Sequence, residues 1–69
     1  MNPKYLPGTL VVWRDGHREL ISTVEYIQRT YFSDSEYHDI YFVKGRGAGI
    51  QEEDLKPIII HRKSGLGNL

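Results

Sequence analysis

The sequence predicts an all-β domain, five strands bent into a small barrel with one short 3₁₀ turn before the last strand. Three observations carry that prediction. Residues 37–43 (YHDIYFV) are rich in aromatic and β-branched side chains and are bounded by the polar SDSE and the glycine-rich KGRGAG. Residues 9–14 (TLVVWR) have the same profile and run into Asp15-Gly16, a turn signal. Residues 52–60 (EEDLKPIII) place a tight acidic turn and a proline directly before a final apolar run.

The chain of 69 residues is read as a single domain, with its core over about residues 7–61 and a tail at 62–69 (RKSGLGNL) that has no periodicity. It has no cysteine, so neither a disulfide framework nor a thiolate zinc site supports it. Five tyrosines, two phenylalanines and one tryptophan supply much of the available core volume. Nine Lys and Arg balance nine Asp and Glu, which argues against a duplex-binding domain, since phosphate neutralisation needs a basic excess. The longest apolar run, Ile58 to Ile60, is far too short for a membrane span, and the first residues lack the pattern of a signal peptide. The expectation is a soluble, cytoplasmic protein with no membrane contact.

Taken in order, Pro3, Pro7 and Gly8 mark an irregular lead-in. In the first strand, alternation puts Leu10 and Val12 on one face and Val11 and Trp13 on the other; Leu10 and Val12 are expected inside, with Trp13 half exposed or covered by a loop. Residues 18–32 (RELISTVEYIQRTYF) admit two readings. Leu20, Val24, Ile27 and Tyr31 recur at helical spacing, yet five β-branched and three aromatic residues favour a strand. A bulge near Glu25 would reconcile the two apolar sets, and the all-β fold takes that form. Ser33 to Glu36 form a polar loop. In the strand 37–43, Ile40 and Phe42 are expected inside, with Asp39, Tyr41 and Val43 facing away. Three glycines within residues 45–49 suit a tight reversal. A short strand over residues 48–51 follows, then a 3₁₀ turn at 52–55 with Leu55 plugging the barrel end. Ile58 to His61 is expected to close the barrel against the first strand. The expected core is thus Leu10, Val12, Val24, Ile27, Ile40, Phe42, Ile50, Leu55, Ile58 and Ile60.

Several of these stretches together form a familiar pattern. Pro7-Gly8-Thr9 through Trp13 and Asp15-Gly16, then Thr23-Val24-Glu25-Tyr26-Ile27, then Phe42 with Gly45, and finally Glu52 to Ile58 follow one another in that order. The pattern resembles the SH3-like small barrels that include Tudor, KOW and related bacterial or phage modules, and it covers roughly residues 7–60. Ser22 stands where the family's second strand often has glycine, and residues 20–36 are longer than a minimal barrel needs, which suggests an extended hairpin or flap. The resemblance implies a fold used for unrelated functions.

Two groups of candidate binding residues follow. Trp13, Tyr31, Phe32 and Tyr41 are read as an aromatic face able to hold a cationic group or stack a base; the alternative role for these rings is to cover barrel ends and stiffen strand pairs. Lys44 and Arg46 in the glycine-rich turn, with Arg62 and Lys63 in the tail, are the candidate basic contacts, and the resemblance to KOW-like barrels implies RNA for such loops. The turn lacks the GK[ST] ending of a phosphate-binding loop. His17, His38 and His61 lie 21 and 23 residues apart without neighbouring thiols, and Glu52, Glu53 and Asp54 lack the pattern of a calcium loop. No metal, cofactor or catalytic group is therefore expected. Plasmid-type dihydrofolate reductases resemble the same barrels, but Ile50-Gln51-Glu52-Glu53 puts two acids where their strand has apolar and aromatic residues. The expected function is a non-enzymatic protein-binding or adaptor module that docks to a larger complex, with a nucleic-acid-binding accessory protein as the alternative.

Overall fold

The computed structural model describes residues 2–59. Five antiparallel strands, β1 (Leu10–Asp15), β2 (Arg18–Tyr31), β3 (Tyr37–Val43), β4 (Ile50–Gln51) and β5 (Lys56–Pro57), lie in the order β4-β3-β2-β1-β5. The sheet curls into an open half-barrel, and a 3₁₀ turn over Glu52–Asp54 links β4 to β5. β3 falls on the residues expected of it, and the ambiguous segment is a single strand of 14 residues.

Strand length and curvature both come from β2. Its first half pairs with β1 from Leu10↔Thr23 to Asp15↔Arg18, and its second half pairs with β3 from Val24↔Val43 to Tyr31↔Tyr37. Between Val24 and Tyr26 the register shifts, leaving Glu25 without a partner across the ladder. One extra residue bends the strand and turns its side chains by one position, so Val24 and Ile27 both reach the core although they are three positions apart. The helical spacing in the sequence is the trace of this bulge. The β1–β2 connection is a two-residue loop, Gly16-His17, between the paired Asp15 and Arg18. Gly16 has φ of 65°, a conformation that side chains disfavour and that short hairpin loops demand.

The core is built from the faces of β1 and β3 opposite to those expected. Val11 (0% exposed) and Trp13 (6%) are buried, whereas Leu10 is 50% exposed and Val12 half-buried. On β3, Tyr41 and Val43 are buried, with Asp39 beside them, while Ile40 and Phe42 are half-buried on the outer side. Val24, Ile50 and Leu55 are buried as expected, and Ile27 packs against them half-buried. Ile58 is half-buried, and Ile60 lies outside the described residues.

The physical reason for this face choice is the N-terminal segment. Tyr5, expected in an irregular lead-in, is buried in the same cluster as Val11, Trp13 and Tyr41. Its ring meets Tyr41 edge-on at 5.5 Å between centroids. Trp13 can go inside because its indole N–H donates to Ser22 Oγ at 2.9 Å, which satisfies its single donor. On the outer face, Phe42 stacks on Tyr26 with centroids 4.5 Å apart. Gly49 lies against the same face, where a Cβ would collide with the Ile40 side chain. Outer apolar residues of β3 are therefore partly covered without belonging to the core.

The last strand also differs from expectation. β5 is Lys56–Pro57 rather than residues 58–61, of which 60 and 61 lie outside the described residues. It does pair with β1, through Val11↔Pro57 and Val12↔Lys56. Leu55 enters the core directly after the 3₁₀ turn, its N–H donating to the Glu52 carbonyl at 3.1 Å, so the chain reaches the edge of β1 early. An edge position tolerates Pro57. The expected tail at 62–69 also lies outside the described residues.

Two measurements test this arrangement. In urea melts Val11→Ala should lower stability by on the order of 2 kcal/mol, from two lost methyl groups and the cavity left behind. Leu10→Ala should cost less than about 1 kcal/mol; the reverse ranking would overturn the assignment of faces. The Tyr5 hydroxyl is buried without a hydrogen-bond partner among the described residues. Tyr5→Phe should therefore be neutral or stabilising by about 1 kcal/mol, and a clear loss would show a partner for that hydroxyl.

Candidate functional site

The far end of the β2–β3 hairpin contributes little to the core and exposes large aromatic side chains. Beyond Ile27 and Tyr41 its strands run past the core to a tip at residues 32–36. Tyr31 and Phe32 are 62% and 64% exposed there. Tyr31 sits beside Tyr37 at 5.7 Å between ring centroids, on one face of the hairpin. Phe32 meets His38 edge-on at 4.7 Å. Both faces of the tip thus carry an aromatic pair.

The tip is ordered by its own sequence. Phe32 N–H donates to the Glu36 carbonyl at 2.9 Å, closing the loop. Ser33 Oγ accepts from the N–H groups of Ser35 (3.4 Å) and Glu36 (3.2 Å), a serine turn of the kind the SDSE sequence favours. Below the tip, Arg29 and Asp39 face each other across the ladder. Arg29 donates twice, Nε to Oδ1 at 2.7 Å and Nη2 to Oδ2 at 2.9 Å. The same guanidinium lies 3.9 Å from the centre of the Tyr37 ring. The paired geometry is the strong, directional form of such a contact, and it clamps the two strands where the core can no longer do so.

The electrostatics follow from that pairing. The Arg29 hydrogen bond holds the Asp39 carboxyl below its ordinary 3.8, against the opposing effect of burial. Arg29 is in turn held above its ordinary value, chiefly by the Asp39 hydrogen bond.

The candidate residues are not brought together as one face. Trp13 and Tyr41 are core residues, so the expected four-ring aromatic surface reduces to Tyr31 and Phe32, joined by Tyr37 and His38. The reason lies in their polar ends, which find partners inside: Trp13 on Ser22, and the Tyr41 hydroxyl on Glu52 at 3.1 Å and the Lys4 N–H at 3.0 Å. The basic group is divided as well. Lys44 is exposed, but Arg46 folds back over the Trp13 ring at 4.9 Å and donates to the Ala48 carbonyl at 3.2 Å. Arg62 and Lys63 lie outside the described residues. A groove of about 680 Å³ opens beside Trp13 and Arg46, with Glu19, Glu53, Asp54 and Lys56 on its walls. Its charges are mixed and oppose one another.

Tyr37 and Arg29 were not singled out by sequence, and His38 and Asp39 were weighed only for metal or acid-base chemistry, not as part of a binding tip. Counting back across the SDSE turn, with Tyr31 opposite Tyr37, would place Arg29 opposite Asp39, and that was the available signal. Among the described residues no cluster of three or more His, Cys, Asp or Glu is placed to hold a metal ion, and no helix is long and apolar enough to cross a membrane.

The Asp39 pairing makes a pH prediction. A carboxyl held below its unfolded value contributes fully above that value, and the contribution disappears as pH falls through the lower folded one. Wild-type stability should therefore decline as pH drops below about 4. Asp39→Asn should be less stable at pH 7 and show a shallower decline over that range in urea midpoints. Parallel pH curves would remove Asp39 from the acid response.

Comparison with known proteins adds no relative: no family model, curated protein or solved structure matches the chain.

Proposed function

We propose that the chain is a non-enzymatic protein-docking module, built on an SH3-like barrel and acting in the cytoplasm, whose contact element is the β2–β3 hairpin. The observation that carries this reading is the exposure of Tyr31 and Phe32 on a tip stiffened from below by the Arg29–Asp39 pair. Large exposed rings on an ordered support are what protein interfaces use as anchors, because they bury much area and lose little side-chain freedom. The SH3-like part of the proposal is supported by the 3₁₀ turn before β5 and by the pairing of β5 with β1, both expected from the sequence of such a barrel.

Binding of nucleic acid is the second reading, and the geometry favours it less. Arg46 is engaged on Trp13, and the tip carries the acids Asp34 and Glu36 beside its rings. Tyr31 and Phe32 remain able to stack on bases, so the experiment must separate the two.

A photo-crosslinking residue replacing Phe32 should trap a discrete protein adduct in cells of the source organism. The same residue replacing His17, at the other end of β2, should trap none. With the crosslinking residue at position 32, Tyr31→Ala should reduce capture while shifting stability by no more than about 1 kcal/mol, as expected for an exposed position. Adducts that disappear on nuclease treatment, or equal labelling from both positions, would overturn the proposal.

A further inference from the structure

We infer that the outer face of the β2–β3–β4 sheet is a contact surface for a second copy of this chain, packed face to face and antiparallel about a two-fold axis. The inference concerns the face of the sheet and is independent of what the rings at the hairpin tip bind.

The face follows from strand alternation. Asp39, Tyr41 and Val43 are buried on the inner side of β3, which turns His38, Ile40 and Phe42 outward. Their partners across the ladders point the same way: Thr30, Gln28 and Tyr26 on β2, and Gln51 on β4. None of these side chains is an acid, a lysine or an arginine, although such residues make up 26% of the chain. Tyr26, 54% exposed, stacks on Phe42. Ile40 and Phe42 in turn cover Gly49, where a Cβ would collide with Ile40 and crowd Phe42. An apolar row therefore crosses three strands, with amides, a threonine and a histidine around it.

The chemistry of the face selects its occupant. Nucleic acid and anionic lipid are held by cations, and these strands turn none outward here. Aromatic residues in a surround depleted of charge mark the centre of a protein–protein contact. A second copy fits, because the chain has no net charge and the face meets itself without opposing like charges. The ends of the face set the orientation. Glu36 and Lys44, both exposed, lie four residues to either side of Ile40. A two-fold axis through Ile40 lays Lys44 of each copy over the Glu36 end of the other, where Asp34 adds a second carboxylate. Glu25 shares the Lys44 end and leaves that end neutral. A parallel arrangement would instead set the two acidic tips together. The face measures about 20 Å along the strands and about 14 Å across them, roughly a third of the 800 Å² that each partner contributes to a stable complex. The dimer is therefore weak and forms at high concentration.

The test is sedimentation equilibrium of the full chain from micromolar to millimolar concentration, with backbone NMR over the same series. The mean mass should climb from that of one chain towards that of two, and the amide signals of residues 26–30 and 38–42 should move with concentration. Gln28 is exposed and faces outward beside Ile40, so a charge there meets its own copy across the axis. Gln28→Lys and Gln28→Glu should each stay monomeric when alone, and an equimolar mixture of the two should associate again. That recovery separates lost contact from lost folding. Lys44→Glu should weaken association about fivefold, the upper range for one exposed ion pair. A constant single-chain mass up to millimolar concentration overturns the inference. So does association that both Gln28 variants retain, or association whose shifts fall outside the outer face. A Lys44→Glu chain that associates as well as the wild type overturns the antiparallel arrangement.

Discussion

The Tyr41 hydroxyl holds the half-barrel together at the point where three segments meet. It accepts the backbone N–H groups of Lys4 (3.0 Å) and Tyr5 (3.4 Å), and it donates to Glu52 Oε1 at 3.1 Å. One side chain on β3 therefore fixes the N-terminal segment, which delivers Tyr5 to the core, and the 3₁₀ turn, which delivers Leu55. Burial pushes the phenol above its ordinary 10.0, and the hydrogen bond and charge of Glu52 act in the same direction. The group stays protonated, and so remains a donor to Glu52, throughout the physiological range. In a chain without disulfides, a buried polar group with its bonds made specifies one arrangement of segments that apolar packing alone would leave loose.

The hairpin depends on that anchoring and then departs from it. Up to Ile27 and Tyr41 the β2–β3 ladder is part of the core, and beyond it the Arg29–Asp39 pair takes over. Replacing apolar packing with a paired charge keeps the strands in register while freeing the outer positions for aromatic residues. A longer apolar ladder would have achieved the same order only by exposing more hydrophobic surface in a chain too short to cover it.

The positions of the first four strands, the bulge at Glu25, the acidic 3₁₀ turn and the pairing of the last strand with the first were legible in the sequence, though the last strand itself lies two residues earlier than expected. The inward faces of β1 and β3 were not, for a definite reason. Residues 10–13 are apolar at every position, and in β3 both Ile40 with Phe42 and Tyr41 with Val43 form plausible inner pairs. A period of two detects a strand but cannot choose between two apolar faces. The presence of Asp39 on the Tyr41 side made that side look solvated, until Arg29 across the ladder supplied its partner. Tyr5 was hidden by the prolines around it. The candidate site was half legible for the same reason: Tyr31 and Phe32 stand in a loop-proximal stretch and are exposed, while Trp13 and Tyr41 stand in strands whose faces were inverted.

An open sheet carries two edges, and each invites unwanted pairing between copies. The two edges here differ in chemistry. β5 is two residues long and includes Pro57, which cannot donate to a further strand. The β4–β3 edge carries Glu52 and Glu53 beside Tyr37, His38 and Asp39. Two copies meeting edge to edge at this position bring like charges together, which opposes self-pairing without blocking the edge. A neutral chain can be selective in this way because its charges are sorted by position.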